Sequence, residues 1–162
     1  MKFSRSTRRA SGRPRARAND PRARNDHRLP GGWQDQSMLV LSAGPGTLGV
    51  APSFVVTREI APSGLPTDRT ERLDVFADRQ AEQIRDTLPA PVELQRRRAD
   101  IPGSAPELRL DRISNGIPIR QWITYANAPD GSVMIATGTA VRADYDMVEP
   151  VFRAMLQTFR LT

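Results

Sequence analysis

The chain has 162 residues, enough for one domain, and its composition excludes several kinds of site. It contains no cysteine and a single histidine, His27, so disulfide frameworks, thiol catalysis and Cys/His metal centres are ruled out by inventory. No apolar run approaches the roughly 18 residues that a membrane-spanning helix needs, so stable membrane insertion is not expected.

Positive charge is concentrated at the amino end. Residues 1–26 hold nine basic and two acidic residues, a balance of +7, whereas the other 136 residues hold 15 arginines and 16 acids, a balance of −1. Because this tail has one aromatic residue and no apolar periodicity, we expect 1–26 to be disordered and 27–162 to form a single domain. The alternatives are an arm that binds polyanions without sequence specificity, and upstream DNA read in frame before a start codon near residue 25 or later.

The first elements after the tail are predicted to be a hairpin and a helix. Apolar and β-branched runs at Met38–Ala43 and Ser53–Ile60 flank the connection GPGTLGVAP, which is rich in Gly and Pro. Within residues 67–88, apolar side chains recur at helical spacing, Thr67 and Asp68 are candidate caps and Pro89 stops the helix.

Four strands and a second helix complete the predicted fold. Short turn sequences separate the four β-like runs, which are Val92–Ala99, Glu107–Ile113, Ile117–Tyr125 and Ser132–Ala140. Asp144 is a candidate cap for a final helix that extends to Phe159. The order ββαββββα predicts an α+β fold in which a mostly antiparallel sheet packs both helices on one face and leaves the other face as a groove.

The open side of this sheet is predicted to be apolar and uncharged. If the helices cover the side that carries Leu39, Phe54 and Trp122, alternation along each strand defines the residues of the opposite side. They are aliphatic residues and short polar groups, namely Met38, Val40, Ser53, Val55, Thr57, Ile119, Gln121 and Ile123. Apolar faces of this kind mark protein interfaces, and the alternatives are a sheet that curls over itself, a homodimer, or a bound partner.

Gln80 is an unusual residue in the first helix. It stands four residues after Phe76 and four before Ile84, in the middle of the apolar stripe. A buried amide needs a hydrogen-bond partner, which a strand end or a bound partner would supply.

No constellation of residues indicates a reaction. GPGTLG at 44–49 matches G-x-G-x-x-G, but the β-like SFVVTREI follows it instead of a helix whose amino end would hold a pyrophosphate. Asp144, Asp146 and Glu149 stand at a helix start, where carboxylates stabilise the helix dipole more often than they bind metal. We therefore predict no enzyme activity, no cofactor and no metal.

Six short stretches carry a family resemblance through their order and spacing. They are LPGGWQDQSM at 29–38, SFVVTRE at 53–59, FADRQ at 76–80, LP at 88–89, IRQ at 119–121 and FRAMLQTFRL at 152–161. Together they resemble the DcrB-like family. The resemblance covers about residues 28–161, and WQDQS with SFVVTR is its most specific pair. Within the family, the chain looks most like the Eag-type adaptor chaperones of bacterial type VI secretion. The usual first strand of the family is not recognisable before Leu29.

The resemblance implies a PsbP-like homodimer that binds and shields the apolar N-terminal transmembrane segments of a secreted effector and assists its loading on the secretion spike. The positions that match the effector-binding groove are Met38, Val40, Ser53, Val55, Thr57, Gln80 and Gln121, and alternation adds Ile123. Envelope lipoproteins of the family carry an export signal and a lipidated cysteine, which this sequence does not show, so a cytoplasmic location is expected. The alternative is a structural or envelope-associated protein whose apolar sheet face only dimerises.

Overall fold

A computed structural model describes residues 39–89, 92–98 and 105–159. The elements follow the predicted order and are β1 (Leu39–Ser42), β2 (Ser53–Glu59), α1 (Arg69–Thr87), β3 (Val92–Arg98), β4 (Pro106–Ser114), β5 (Ile117–Asn127), β6 (Val133–Val141) and α2 (Tyr145–Thr158). The predicted tail at 1–26 lies outside the described residues. Among those residues, no helix combines the length and hydrophobicity that crossing a membrane requires.

The six strands form one antiparallel sheet in the order β1-β2-β6-β5-β4-β3. Strands β3 to β6 form a meander, and β6 pairs with β2, so β1 and β3 are the edges among the described strands. Asn115 and Gly116 join β4 to β5 with positive φ angles of 51° and 78°. Positive φ at both central residues is what a two-residue type I′ hairpin turn requires.

The two helices pack on opposite faces of the sheet, so the prediction that both lie on one face is wrong. α2 packs in the core cluster that contains Trp122 and Met134, whereas α1 packs in the cluster that contains Ile123 and Ile135. Adjacent residues of a strand point to opposite faces. In β5 and in β6, four consecutive residues are buried. Both faces of these central strands are therefore apolar, and each needs its own cover.

α2 lies close against β6 and is fixed there by aromatic and charged contacts. The Phe152 ring stacks on Phe54, with ring centroids 6.1 Å apart. The Arg153 guanidinium pairs with Glu107 at 2.8 Å and lies 4.8 Å from the centroid of the Trp122 ring. The hydrogen bonds that Arg153 donates to Glu107 are the largest of the causes that raise the pKa of Arg153. Because of these contacts, α2 covers the side of the sheet that carries Phe54 and Trp122.

Asp144 ties the β1–β2 connection to the start of α2. It precedes the helix at the cap position, as predicted, but its carboxylate makes no capping hydrogen bond. Instead it accepts from the backbone N of Thr47 at 2.7 Å and from the hydroxyl of the same residue. In contrast, Asp68 caps α1 as predicted, accepting from the backbone N of Thr70 and of Glu71.

Candidate partner-binding face

Among the described residues, nothing covers part of one sheet face between α1 and the β1 edge. α1 packs over β3, β4 and β5, while α2 occupies the opposite side of the sheet. We call the uncovered surface the open face. Its residues are half-buried or exposed, and they are Val40, Ser42, Ser53, Val55, Thr57, Ile119, Gln121, Thr137 and Thr139.

Cross-strand pairing aligns these residues in rows. Val40 of β1 lies opposite Val55 of β2, which lies opposite Thr137 of β6. In the next row, Thr139 of β6 lies between Ser53 of β2 and Gln121 of β5. Paired residues of adjacent strands share a face of the sheet. The strands therefore bring the predicted residues of β1, β2 and β5 together on one side, as their alternation suggested.

Three predicted positions have a different outcome. Ile123 lies on the same side of the sheet as Gln121, as alternation predicted, but it is 8% exposed and packs in the core beneath α1, so the prediction that it is open to a partner is wrong. Gln80 is half-buried, and its Nε2 donates to Glu59 Oε2 at 3.4 Å. A strand end thus supplies the partner that this amide needs. Met38 lies outside the described residues.

Charged side chains lie at the borders of the open face. Arg112 of β4 reaches the face from one border, where its Nε donates to Gln121 Oε1 at 3.4 Å. Glu59 ends β2 at another border, beside Gln80. Of the residues that define the open face, none is ionisable. Because burying an unpaired charge is costly, an uncharged centre accepts an apolar partner at a lower desolvation cost than a charged one would.

Gln121 is the hydrogen-bonding centre of the open face. Its Nε2 donates to Thr139 Oγ1 at 3.0 Å, while its Oε1 accepts from Arg112. The sequence predicts Gln121 as a site residue but neither of its two partners. Thr139 lies directly opposite Gln121, and Arg112 lies diagonally across from it, two pairs along the β4–β5 ladder. The signal that would have found both is the strand register, which alternation within one strand does not provide.

The open face continues to an apolar sheet edge. β1 pairs with β2 on one side, and among the described strands it has no neighbour on the other. Its Leu39, Val40 and Leu41 are 37%, 56% and 40% exposed. The β3 edge is different, because Arg96 there is paired with two carboxylates of α1. Charged edges discourage strand pairing, whereas β1 carries no charge that would do so.

A second apolar feature lies on the α2 side. A cavity of about 230 Å³ is lined by residues of β5, β6 and α2, among them Ala126, Ala136 and Leu156, and by Phe159, which follows α2. This volume is below the roughly 300–1,000 Å³ of typical small-molecule pockets. The open face is therefore the better candidate for a functional surface.

These features define an α+β protein with a six-stranded antiparallel sheet and one uncharged, partly apolar sheet surface beside a helix. The DcrB family model matches residues 27–158, and the chain belongs to the DcrB family. Among solved structures, it is similar to the crystal structure of PA94 from Pseudomonas aeruginosa, described as a protein of unknown function. The two are 26% identical with a TM-score of 0.61, over 82% of this chain and 88% of that chain. No curated protein matches the chain significantly.

Proposed function

We propose that this protein is a type VI secretion adaptor chaperone. It binds the apolar N-terminal transmembrane segments of a secreted effector in the cytoplasm, shields them from water and assists their loading on the spike, and it acts by binding alone. The observation that carries the proposal is the open face, an uncharged surface of aliphatic and hydroxyl side chains. The likeness to Eag-type adaptors, and the PsbP-like fold that it implies, support the choice of partner.

The apolar part of the open face supplies affinity. A transmembrane helix in water exposes apolar surface, and each Å² that is covered contributes about 25 cal/mol. Val40 and Val55 present aliphatic surface at the centre of β1 and β2. With strands about 4.8 Å apart, the span from β1 to β5 is about 14 Å, close to the 10–12 Å diameter of a helix with its side chains. One helix at a time therefore fits this surface.

The hydroxyl groups supply orientation. In the described part of the chain, the hydroxyls of Ser53, Thr57 and Thr137 have no side-chain partner. Transmembrane helices recognise one another through close approach at small residues and through hydrogen bonds of Ser, Thr and Gln side chains. A sheet face that presents the same groups imitates a neighbouring helix.

A co-expression experiment tests the proposal. The partner is a soluble carrier protein fused to a helix of about 20 Leu, Ala and Gly residues, and the control is the same fusion with lysines along the helix. We expect stoichiometric co-purification of the apolar fusion without detergent, and none of the lysine fusion. Equal capture of both fusions, or of neither, would contradict the proposal.

The second candidate is a DcrB-like protein whose open face only dimerises. The exposed β1 edge, with Leu39, Val40 and Leu41, favours it, because an apolar strand whose outer edge has no neighbour among the described strands invites pairing with a second copy. Light scattering distinguishes the two candidates. Our proposal predicts a dimer whose mass increases when the apolar fusion is added, whereas a closed dimer keeps its mass.

A further inference from the structure

We infer that the Thr139 hydroxyl donates a hydrogen bond to the bound helix, and that Arg112 makes this hydroxyl the donor by fixing the orientation of the Gln121 amide. The inference rests on the proposed function and deepens it, because it specifies which chemical group the partner must present at this point of the open face. That group is a hydrogen-bond acceptor.

The orientation of the Gln121 amide follows from Arg112. A guanidinium has donors and no acceptor, so the Gln121 atom beside Arg112 Nε must be the carbonyl oxygen. The amide nitrogen is then directed at Thr139 Oγ1, at 3.0 Å. Since the nitrogen can only donate, the Thr139 hydroxyl is the acceptor in this bond.

Because Thr139 is the acceptor in that bond, the hydrogen of its own hydroxyl remains available to donate. Thr139 is half-buried on the open face, and the described residues offer this hydrogen no acceptor. Water accepts a hydrogen bond from this hydroxyl while no helix covers the face. An apolar helix that covers Thr139 removes the water, and a buried unpaired donor is unfavourable. The helix must therefore bring an acceptor to this point.

Two groups of a transmembrane helix have the required chemistry. One is a backbone carbonyl at a Gly or Ala position, where the small side chain permits close approach and the oxygen has a second lone pair. The other is the hydroxyl oxygen of a Ser or Thr. The two sources are distinguished by using one carrier fusion with a Leu/Ala/Gly helix and another with a single central Ser.

The first test replaces Thr139. We expect Thr139→Val to weaken binding about 2- to 10-fold, the range of one net hydrogen bond, and Thr139→Ser to bind like the wild type. A loss with both fusions identifies the carbonyl as the acceptor, and a loss confined to the Ser-containing fusion identifies the hydroxyl. Wild-type binding of Thr139→Val to both fusions would overturn the inference.

A double-mutant cycle tests whether Gln121 sets the polarity. In Gln121→Glu the carboxylate is paired with Arg112, so it is not an unpaired charge in the open face, and because it can only accept, the Thr139 hydrogen turns toward it. Adding Thr139→Val to this background should then change affinity by less than about twofold. An equal loss in both backgrounds would overturn the role of Gln121.

Arg112 is tested as a positioning residue. We expect Arg112→Met to diminish the effect of Thr139→Val and to shift the Gln121 side-chain NH₂ signals in ¹⁵N NMR spectra, and Arg112→Lys to restore both. Unchanged NH₂ signals in Arg112→Met would overturn its role. If the wild-type protein captures neither fusion, the proposed function itself fails. If it captures them and Thr139→Val has no effect, only this inference fails.

Discussion

Phe152 of α2 lies over Gly138 of β6 so closely that a Cβ atom at position 138 would collide with the aromatic ring. The same ring stacks on Phe54, so one residue joins the helix to both β2 and β6. This packing gives α2 the side of the sheet opposite to α1. The open face is exposed because α1 and α2 pack on opposite sides of the sheet and neither helix extends over it.

Gly138→Ala should therefore destabilise the fold. The added methyl group forces Phe152 or the backbone to move, and overpacking of this kind costs about 1–3 kcal/mol. Urea unfolding of both proteins measures the difference. Gly44→Ala is the matched control, since an added Cβ there has no atom within 4 Å, and we expect a change below about 0.5 kcal/mol. Equal stability of the two variants would contradict the close contact.

Thr47 and Asp144 should show energetic coupling. Asp144→Ala removes both hydrogen bonds to the β1–β2 connection, and Thr47→Val removes the one from the hydroxyl. In a double-mutant cycle measured by urea unfolding, we expect a coupling energy of about 0.5–3 kcal/mol. Asp146→Ala is the control because its side chain is 85% exposed. Additive effects of Thr47→Val and Asp144→Ala would show that the contact does not contribute.

Tyr125 should make the protein sensitive to alkali. Burial raises the pKa of its hydroxyl, which has no partner among the described residues. A raised pKa in the folded state means that stability is complete below the unfolded pKa of about 10 and falls as pH rises above it. Tyr125→Phe should reduce this fall by up to about 1.4 kcal/mol per pH unit.

Urea unfolding between pH 8 and pH 11 measures the effect of Tyr125→Phe. Burial also raises the pKa of Tyr145, so the single variant retains part of the alkaline loss and a double variant with Tyr145→Phe retains less. The same slope in the wild type and in Tyr125→Phe would contradict the burial of an unpartnered hydroxyl.

The order of elements was predictable from local signals. Gly and Pro mark the turns, and the apolar stripe between Asp68 and Pro89 predicts α1 almost to its ends. Alternation also assigned Val40, Val55 and Gln121 to one side of the sheet, because period two is a property of each strand alone. Each of these features depends on residues that are close together in sequence, so the sequence alone is enough to predict it.

The placement of the helices was not predictable in the same way. In β6 both alternating sets are free of charge, and in β5 the adjacent residues Trp122 and Ile123 are both apolar, so the pattern does not say which set a helix covers. α1 covers Ile123, which alternation had left on the open side. Arg112 and Thr139 were missed as site residues because they meet Gln121 only through pairing between strands. Long-range pairing is a property of the assembled sheet.

The central claim is that the open face binds an apolar helix, and Val55→Asp tests it most directly. Val55 lies in β2, one of the two middle strands of the open face. An aspartate there would be an unpaired charge beneath the bound helix. Val151→Asp is the matched control, because Val151 is 51% exposed on α2, on the other side of the sheet. Both variants should keep the circular dichroism spectrum of the wild type.

The measurement is the amount of the Leu/Ala/Gly carrier fusion that co-purifies with each variant, relative to the wild type. We predict that Val151→Asp retains full capture and that Val55→Asp loses it. Full capture by a folded Val55→Asp variant would contradict the account, because the helix would then be bound somewhere other than the open face.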